Sequence, residues 1–149
     1  MISSFYTMAI YFSNADIDFS LKDEPLLKKW IAQVIKNHSM HVGKINYLFC
    51  SDEYVHDANV KFLNHDTYTD IITFDTVEGD SVSGDIMISI DRVGENAELF
   101  SVAFEEELHR VVIHGVLHLL GFKDKSDADA ALMRQKENES LELLKTISC

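Results

Sequence analysis

Proline occurs once in this 149-residue chain, at Pro25, and cysteine only twice, at Cys50 and Cys149. The two thiols are far apart in sequence and form no C-x-x-C pair, which argues against cysteine-ligated zinc and against a disulfide scaffold. Cys50 ends the strand-like run INYLFC, where a buried free thiol in a reducing compartment is expected. Repeats, low-complexity tracts and Pro/Gly-rich linkers are also missing, so a single domain over residues 1–149 is expected. No apolar run is long enough to span a bilayer, because the longest, from Val111 to Leu120, is interrupted by two histidines. The opening MISSFYTMAIYFS has no basic start and no unbroken apolar stretch, so a secretory signal is not expected. A cytoplasmic protein with no membrane partner follows from these absences. Basic residues are scarce as well. Thirteen Lys and Arg against 25 Asp and Glu give a formal charge of −12, which disfavours general adhesion to nucleic acid or anionic lipid. Any RNA contact then has to use a local basic or metal-centred patch.

A hydrophobic content of 46% and a charged content of 26% are those of an ordinary globular domain. Residues 6–12 are apolar and β-prone and read as a first strand. Pro25 lies in the first turn of a helix running to about Asn37, with Leu27, Trp30, Ile31, Val34 and Ile35 as its inward stripe. A second strand covers 44–50, and Ser51-Asp52-Glu53 starts a helix with Val55, Ala58 and Phe62 on one face. Two strands, 71–77 and 83–90, flank an acidic loop. In the second, Ile86, Ile88 and Ile90 share one face while Asp85, Met87 and Ser89 share the other. A short helical piece around Gly94–Leu99 precedes a long helix from Val102 to Leu120, which Gly121 ends in a left-handed turn. A last helix from Asp127 to about Ile147 turns Met133, Leu141 and Leu144 inward. The expected class is α+β: a small mixed sheet of about four strands packed with helices, and a metal site on the long central helix.

That long helix begins charged, as EEELHR, and becomes apolar all round, as VVIHGVLHLLGF. Its second half must therefore be buried, and His114 and His118 are the only strongly polar side chains in it. Four residues apart, they stack on one face a turn from each other, and both rings can aim a nitrogen at one point. Each histidine alone is better explained by a core imidazole bonded to a carbonyl. The stacked pair, with Asp124 carried back by the turn at Gly121, points to a metal. Two imidazoles and a carboxylate leave a fourth position for water, as catalytic zinc sites do. The zinc-peptidase pattern H-E-x-x-H has its general base beside the first histidine, and here that place is Gly115, which excludes that mechanism in its usual form. Gly115 also allows another backbone, or substrate, to approach closely.

The segment HGVLHLLGFKD resembles the YbeY-family pattern H-G-x-L-H-L-x-G-Y/F-D-H. Upstream, ANVKFLNHDTYTDIITF is similar to the family's L-N-x-x-Y-R-x-x-D-x-P-T-D-V-L-S-F at the same spacing, and SGDIMIS to its G-D-I-x-I-S strand. The resemblance implies an α+β fold holding one metal ion, usually zinc. It further implies endoribonuclease activity on single-stranded RNA, in ribosomal RNA maturation and ribosome quality control, with the small subunit and its assembly factors as partners. It carries over His114 and His118 as ligands and puts Asp124 where the family has a third histidine. A carboxylate oxygen is a competent zinc ligand and shifts preference towards harder ions such as Mn²⁺. A different registration puts Lys125 at that position. The family's arginine falls on Leu63 and its proline on Tyr68, so either His65, Lys61 or Lys123 supplies what the arginine does or the activity is weak.

The expected catalytic residues are His114, His118 and His65, with His65 sharing its segment with Asn59, Asp66, Thr69 and Asp70. For those four, turn and cap roles are the alternative. Asp85 is either a carboxylate supporting the site or a strand-end residue. His38, His41, His56 and His109 read as surface groups, and Glu105-Glu106-Glu107 as a solvated face opposing the helix dipole. Two other functions stay open on the residues: a metal-stabilised binding module of ribosome assembly, and a zinc hydrolase of another substrate such as peptide.

Overall fold

Alternating and helical periodicities resolve into four strands and five helices in the computed structural model, which describes residues 9–147. The strands are β1 (Ile10–Asn14), β2 (His41–Cys50), β3 (Ile71–Asp75) and β4 (Ser81–Ser89). The helices are α1 (Glu24–Asn37), α2 (Asp52–Leu63), α3 (Ile90–Leu99), α4 (Phe104–Leu119) and α5 (Asp127–Thr146). The sheet order is β1-β2-β4-β3, with β1, β2 and β4 parallel and β3 antiparallel to β4. The α+β class with a mixed four-stranded sheet is therefore what the chain adopts. Of the strand expected at 6–12, residues 6–8 lie outside the described residues, and the observed strand extends further, to Asn14.

The β4 alternation divides the core. Ile86 and Ile88 face a cluster shared with Trp30, Ile31, Val112, Val116 and Leu117 of α1 and α4. Met87 faces a smaller one with Cys50, Val55, Ala58 and Ile72, beneath α2. Ile90, expected on the strand, instead begins α3, where Ser89 caps the helix by accepting from the Arg92 amide. Phe62 is not inward either: it is 62% exposed, and Asn59 takes the buried place on α2. The Cys50 thiol is free and buried, and burial pushes its pKa up to about 12, so it is unreactive at neutral pH.

Two buried polar ties fix the helices over the sheet. Tyr47 of β2 donates its hydroxyl to the Val112 carbonyl of α4 at 2.9 Å, and Trp30 of α1 donates Nε1–H to the Ser140 carbonyl of α5 at 2.7 Å. α4 lies close to the sheet because Gly115 has no side chain: a Cβ there would sit 3.0 Å from Ile86 and 3.1 Å from Ile71. The close approach expected at Gly115 is thus made by sheet side chains.

Gly84 sits under the end of α4, where a Cβ would lie 2.7 Å from the Phe74 carbonyl oxygen and 2.9 Å from a Leu119 methyl. Because backbone cannot swing aside, Gly84→Ala is expected to cost about 1–3 kcal/mol. At roughly 2–4 °C per kcal/mol for a chain this size, the melting temperature should fall by several degrees in a circular-dichroism melt. An unchanged melting temperature would show that β3 yields freely.

Candidate metal centre

One stripe of α4 carries Glu107, Arg110, Val111, His114 and His118 at helical spacing, and it faces a cavity of about 520 Å³. Thr69, Asp70, Ile71 and Thr73 line it from β3 and the loop before it, Asn96 and Phe100 from α3 and its end, and Met133, Arg134 and Glu137 from α5. The opposite stripe of α4, with Leu108, Val112 and Val116, is fully buried. The histidines thus stand at the edge of an apolar helix face, where a wet pocket begins.

After α4 the chain reverses in a Schellman turn. Gly121 adopts φ 104°, its N–H bonds the His118 carbonyl, and the Phe122 N–H bonds the Leu117 carbonyl. The turn delivers Asp124 Oδ2 to 3.3 Å from His114 Nε2 and 3.3 Å from His118 Nε2. The two rings stand 4.6 Å apart at 78°, and the candidate ligand atoms of all three residues lie within 4.8 Å of one another. Charge-assisted N–H···O⁻ bonds run at about 2.7–2.9 Å, so 3.3 Å is long for one. It does match the edge of a tetrahedron with arms of about 2.0–2.1 Å, roughly 3.3–3.4 Å, which is the spacing zinc ligands adopt. The donor set, two imidazole nitrogens and one carboxylate oxygen, fits a divalent cation with an open corner.

The other ring nitrogen of His114 is also engaged. Glu137 Oε2 lies 2.6 Å from Nδ1, and since a carboxylate only accepts, Nδ1 carries a proton, so in the neutral imidazole the lone pair is on Nε2. Glu137 in turn accepts from Arg110 at 2.9 Å, and Arg134 lies 3.6 Å away. Burial opposes charge on His114, yet the hydrogen bond and the negative charge of Glu137 outweigh it and hold the imidazole above its usual pKa. Burial likewise would raise Glu137, but its bonds to His114 and Arg110 hold it below the usual carboxylate range. A carboxylate behind a ligating histidine fixes its tautomer and ring orientation and raises its basicity.

Glu137 and Arg110 were not among the expected site residues. A signal for Glu137 exists: it falls in the inward stripe Met133, Leu141, Leu144 of α5, a charged residue at an apolar position. Glu107 corrects the reading of its acidic run as a solvated face. It is 5% exposed because it lies two turns before His114 on the pocket stripe, and burial, reinforced by Asp70, raises its pKa. Asp70, also turned to the pocket, is raised by burial.

His65 is exposed in the loop after α2 and is not brought to the pocket, and Lys61 and Lys123 are exposed outside it too. Asn59 and Asp66 serve the loop: Asn59 Nδ2 donates to the Thr67 carbonyl at 2.8 Å, and Asp66 accepts from His56 at 2.8 Å. His56 also stacks on Tyr68 at 4.1 Å, so it is a packed residue holding that loop. Asp85 is exposed on the sheet and accepts from Asn46, away from the pocket lining. His109 is half-buried against Trp30. A second described group with ligand spacing, Glu53, His56 and Asp57, is mostly exposed, and its histidine is already given to Asp66.

Comparison with known proteins bears on this geometry. The profile of the family described as Endoribonuclease YbeY matches residues 11–145. The chain belongs to the YbeY family. Among its YbeY relatives, the protein named Endoribonuclease YbeY from Flavobacterium johnsoniae is 54% identical over 128 residues, which is 86% of this chain and 92% of the relative. That of Flavobacterium psychrophilum is 55% identical over 130 residues, 87% and 93% of the two chains. The solution structure of a Thermotoga maritima protein superposes with a TM-score of 0.64 at 31% identity, covering 91% of this chain and 88% of that one. Leu63 is exposed at the end of α2, and the guanidiniums in the pocket come from Arg110 and Arg134.

Glu137→Gln keeps an acceptor for His114 but removes the charge. It is expected to weaken zinc binding about 10- to 100-fold, read by competition with a chromophoric chelator. Affinity equal to the unaltered protein would mean that Glu137 only packs.

Proposed function

We propose that this chain is a metal-dependent endoribonuclease that cuts single-stranded RNA, working as one domain over residues 1–149 with its ion held by His114, His118 and Asp124. The observation that supports this most is the meeting of three donors on the wall of an open pocket, with both histidine Nε2 atoms 3.3 Å from Asp124 Oδ2. The relatives named Endoribonuclease YbeY supply the reaction class. A divalent cation there supplies Lewis acidity, polarising a phosphoryl oxygen or acidifying the attacking water. Zinc suits two imidazoles and a carboxylate, and the hard oxygen of Asp124 also suits Mn²⁺.

The chain's own groups have distinct parts. Glu137 holds the His114 ring so that Nε2 faces Asp124. Arg110 and Arg134 are the guanidiniums of a wall that also carries Asp70, Glu107, Asp124 and Glu137, and with a cation bound beside them they would give a phosphodiester its positive partners. His65 stands outside the pocket lining, exposed in the loop after α2. The substrate is single-stranded ribosomal RNA, met in the cytoplasm with the small subunit and its assembly factors, as the family resemblance implies. No helix of the described residues is long and apolar enough to cross a membrane.

The test is cleavage of labelled single-stranded RNA by metal-loaded protein and by its His118→Ala variant. If the cation supplies several kcal/mol, the variant should lose roughly 10²–10³-fold or more in rate. Chelation should stop the unaltered protein, and added metal should restore it. Equal cleavage by a folded His118→Ala protein would end the proposal.

A further inference from the structure

Phe100 is an aromatic ring left half in solvent at the rim of the metal pocket. It is 52% exposed, lines the same cavity as His114, His118 and Arg134, and meets no other aromatic ring among the described residues. The packing at this corner is done by its neighbour Phe104, which joins the core cluster and lies beside Phe19 and Gly94. The backbone that carries the exposed ring is well tied. α3 ends in a Schellman turn, with Phe100 N–H bonded to the Asn96 carbonyl, Ser101 N–H to Glu98 and Val102 N–H to Ala97. The residue at the left-handed position is Ser101, at φ 56°, a conformation that a side chain with a Cβ rarely adopts. Three such bonds fix the main chain from which the Phe100 ring projects.

Charge on the pocket wall indicates what Phe100 meets. Two guanidiniums share the cavity with it among the carboxylates Asp70, Glu107, Asp124 and Glu137: Arg110, bonded to Glu137, and Arg134, 3.6 Å from Glu137 and largely exposed to solvent. A flat apolar ring beside guanidinium groups matches a nucleotide: phosphate to the cations, base to the ring. We infer that Phe100 is a specificity-determining residue, a stacking platform for an unpaired base next to the phosphodiester to be cut. A base held in a duplex has both faces covered and cannot use it, so selection for single strands is built into the rim. The inference rests on the endoribonuclease reading above.

The test uses a single-stranded 2′-O-methyl oligonucleotide, which resists cleavage, carrying 2-aminopurine, whose fluorescence falls when it stacks. Metal-loaded unaltered protein should bind it and quench the probe. Phe100→Ala should bind roughly tenfold more weakly, with the quenching lost. Phe100→Tyr should stay within about twofold, and so should Leu99→Ala, whose side chain is 74% exposed outside the pocket lining. Circular dichroism checks that each variant is folded. If the unaltered protein cuts RNA while Phe100→Ala binds and quenches as it does, stacking is refuted and the endoribonuclease reading survives. If the unaltered protein neither cuts nor binds RNA, both fall together.

Discussion

The hydrogen bond from His114 Nδ1 to Glu137, at 2.6 Å, is the interaction on which the rest of the site depends. It joins the two longest helices, α4 and α5, across the pocket and settles which nitrogen of the ring is free. With Nδ1 donating inward, Nε2 can only face Asp124, and the three donors meet. A buried carboxylate would be costly alone, but Glu137 is satisfied from both sides, by His114 and by Arg110. The pocket therefore contains a chain of alternating charge, guanidinium to carboxylate to imidazole to carboxylate, in which each member orients the next.

The sheet explains why α4 can hold that position. Gly84 and Gly115 remove side chains where the helix comes down on β4, and Tyr47 bonds the helix backbone from below. At its end, Gly121 turns the chain through a left-handed conformation that brings Asp124 back within a few residues. A rigid helix over a packed sheet keeps donor atoms within the few tenths of an ångström that metal geometry demands.

The fold was largely legible because its signals are local. The stripe of α1, the cap at Ser51 and the stop at Gly121 each follow from a few adjacent residues. His114, His118 and Asp124 were legible for the same reason, since one helix and one turn contain all three. Glu137 lies 23 residues beyond His114, and only tertiary packing joins them. Glu107 was misjudged because an acidic run at a helix start reads as solvated, whereas its third member falls on the stripe that continues to His114. His65 drew notice through its motif, yet the loop it occupies is tied to α2 by Asn59 and Asp66 and stands clear of the pocket. Positive charge in the pocket comes from α4 and α5, far in sequence from the segment where the family pattern has its arginine.

A strongly acidic chain that handles RNA needs its attraction for phosphate concentrated at one place, and a cation held in the pocket that Arg110 and Arg134 line would meet that need. The direct test of that arrangement is a crystal structure of zinc-loaded protein with anomalous data collected across the zinc edge. The account predicts one peak, within about 2.0–2.2 Å of His114 Nε2, His118 Nε2 and a carboxylate oxygen of Asp124. A peak elsewhere, or none at full zinc occupancy in solution, would contradict it.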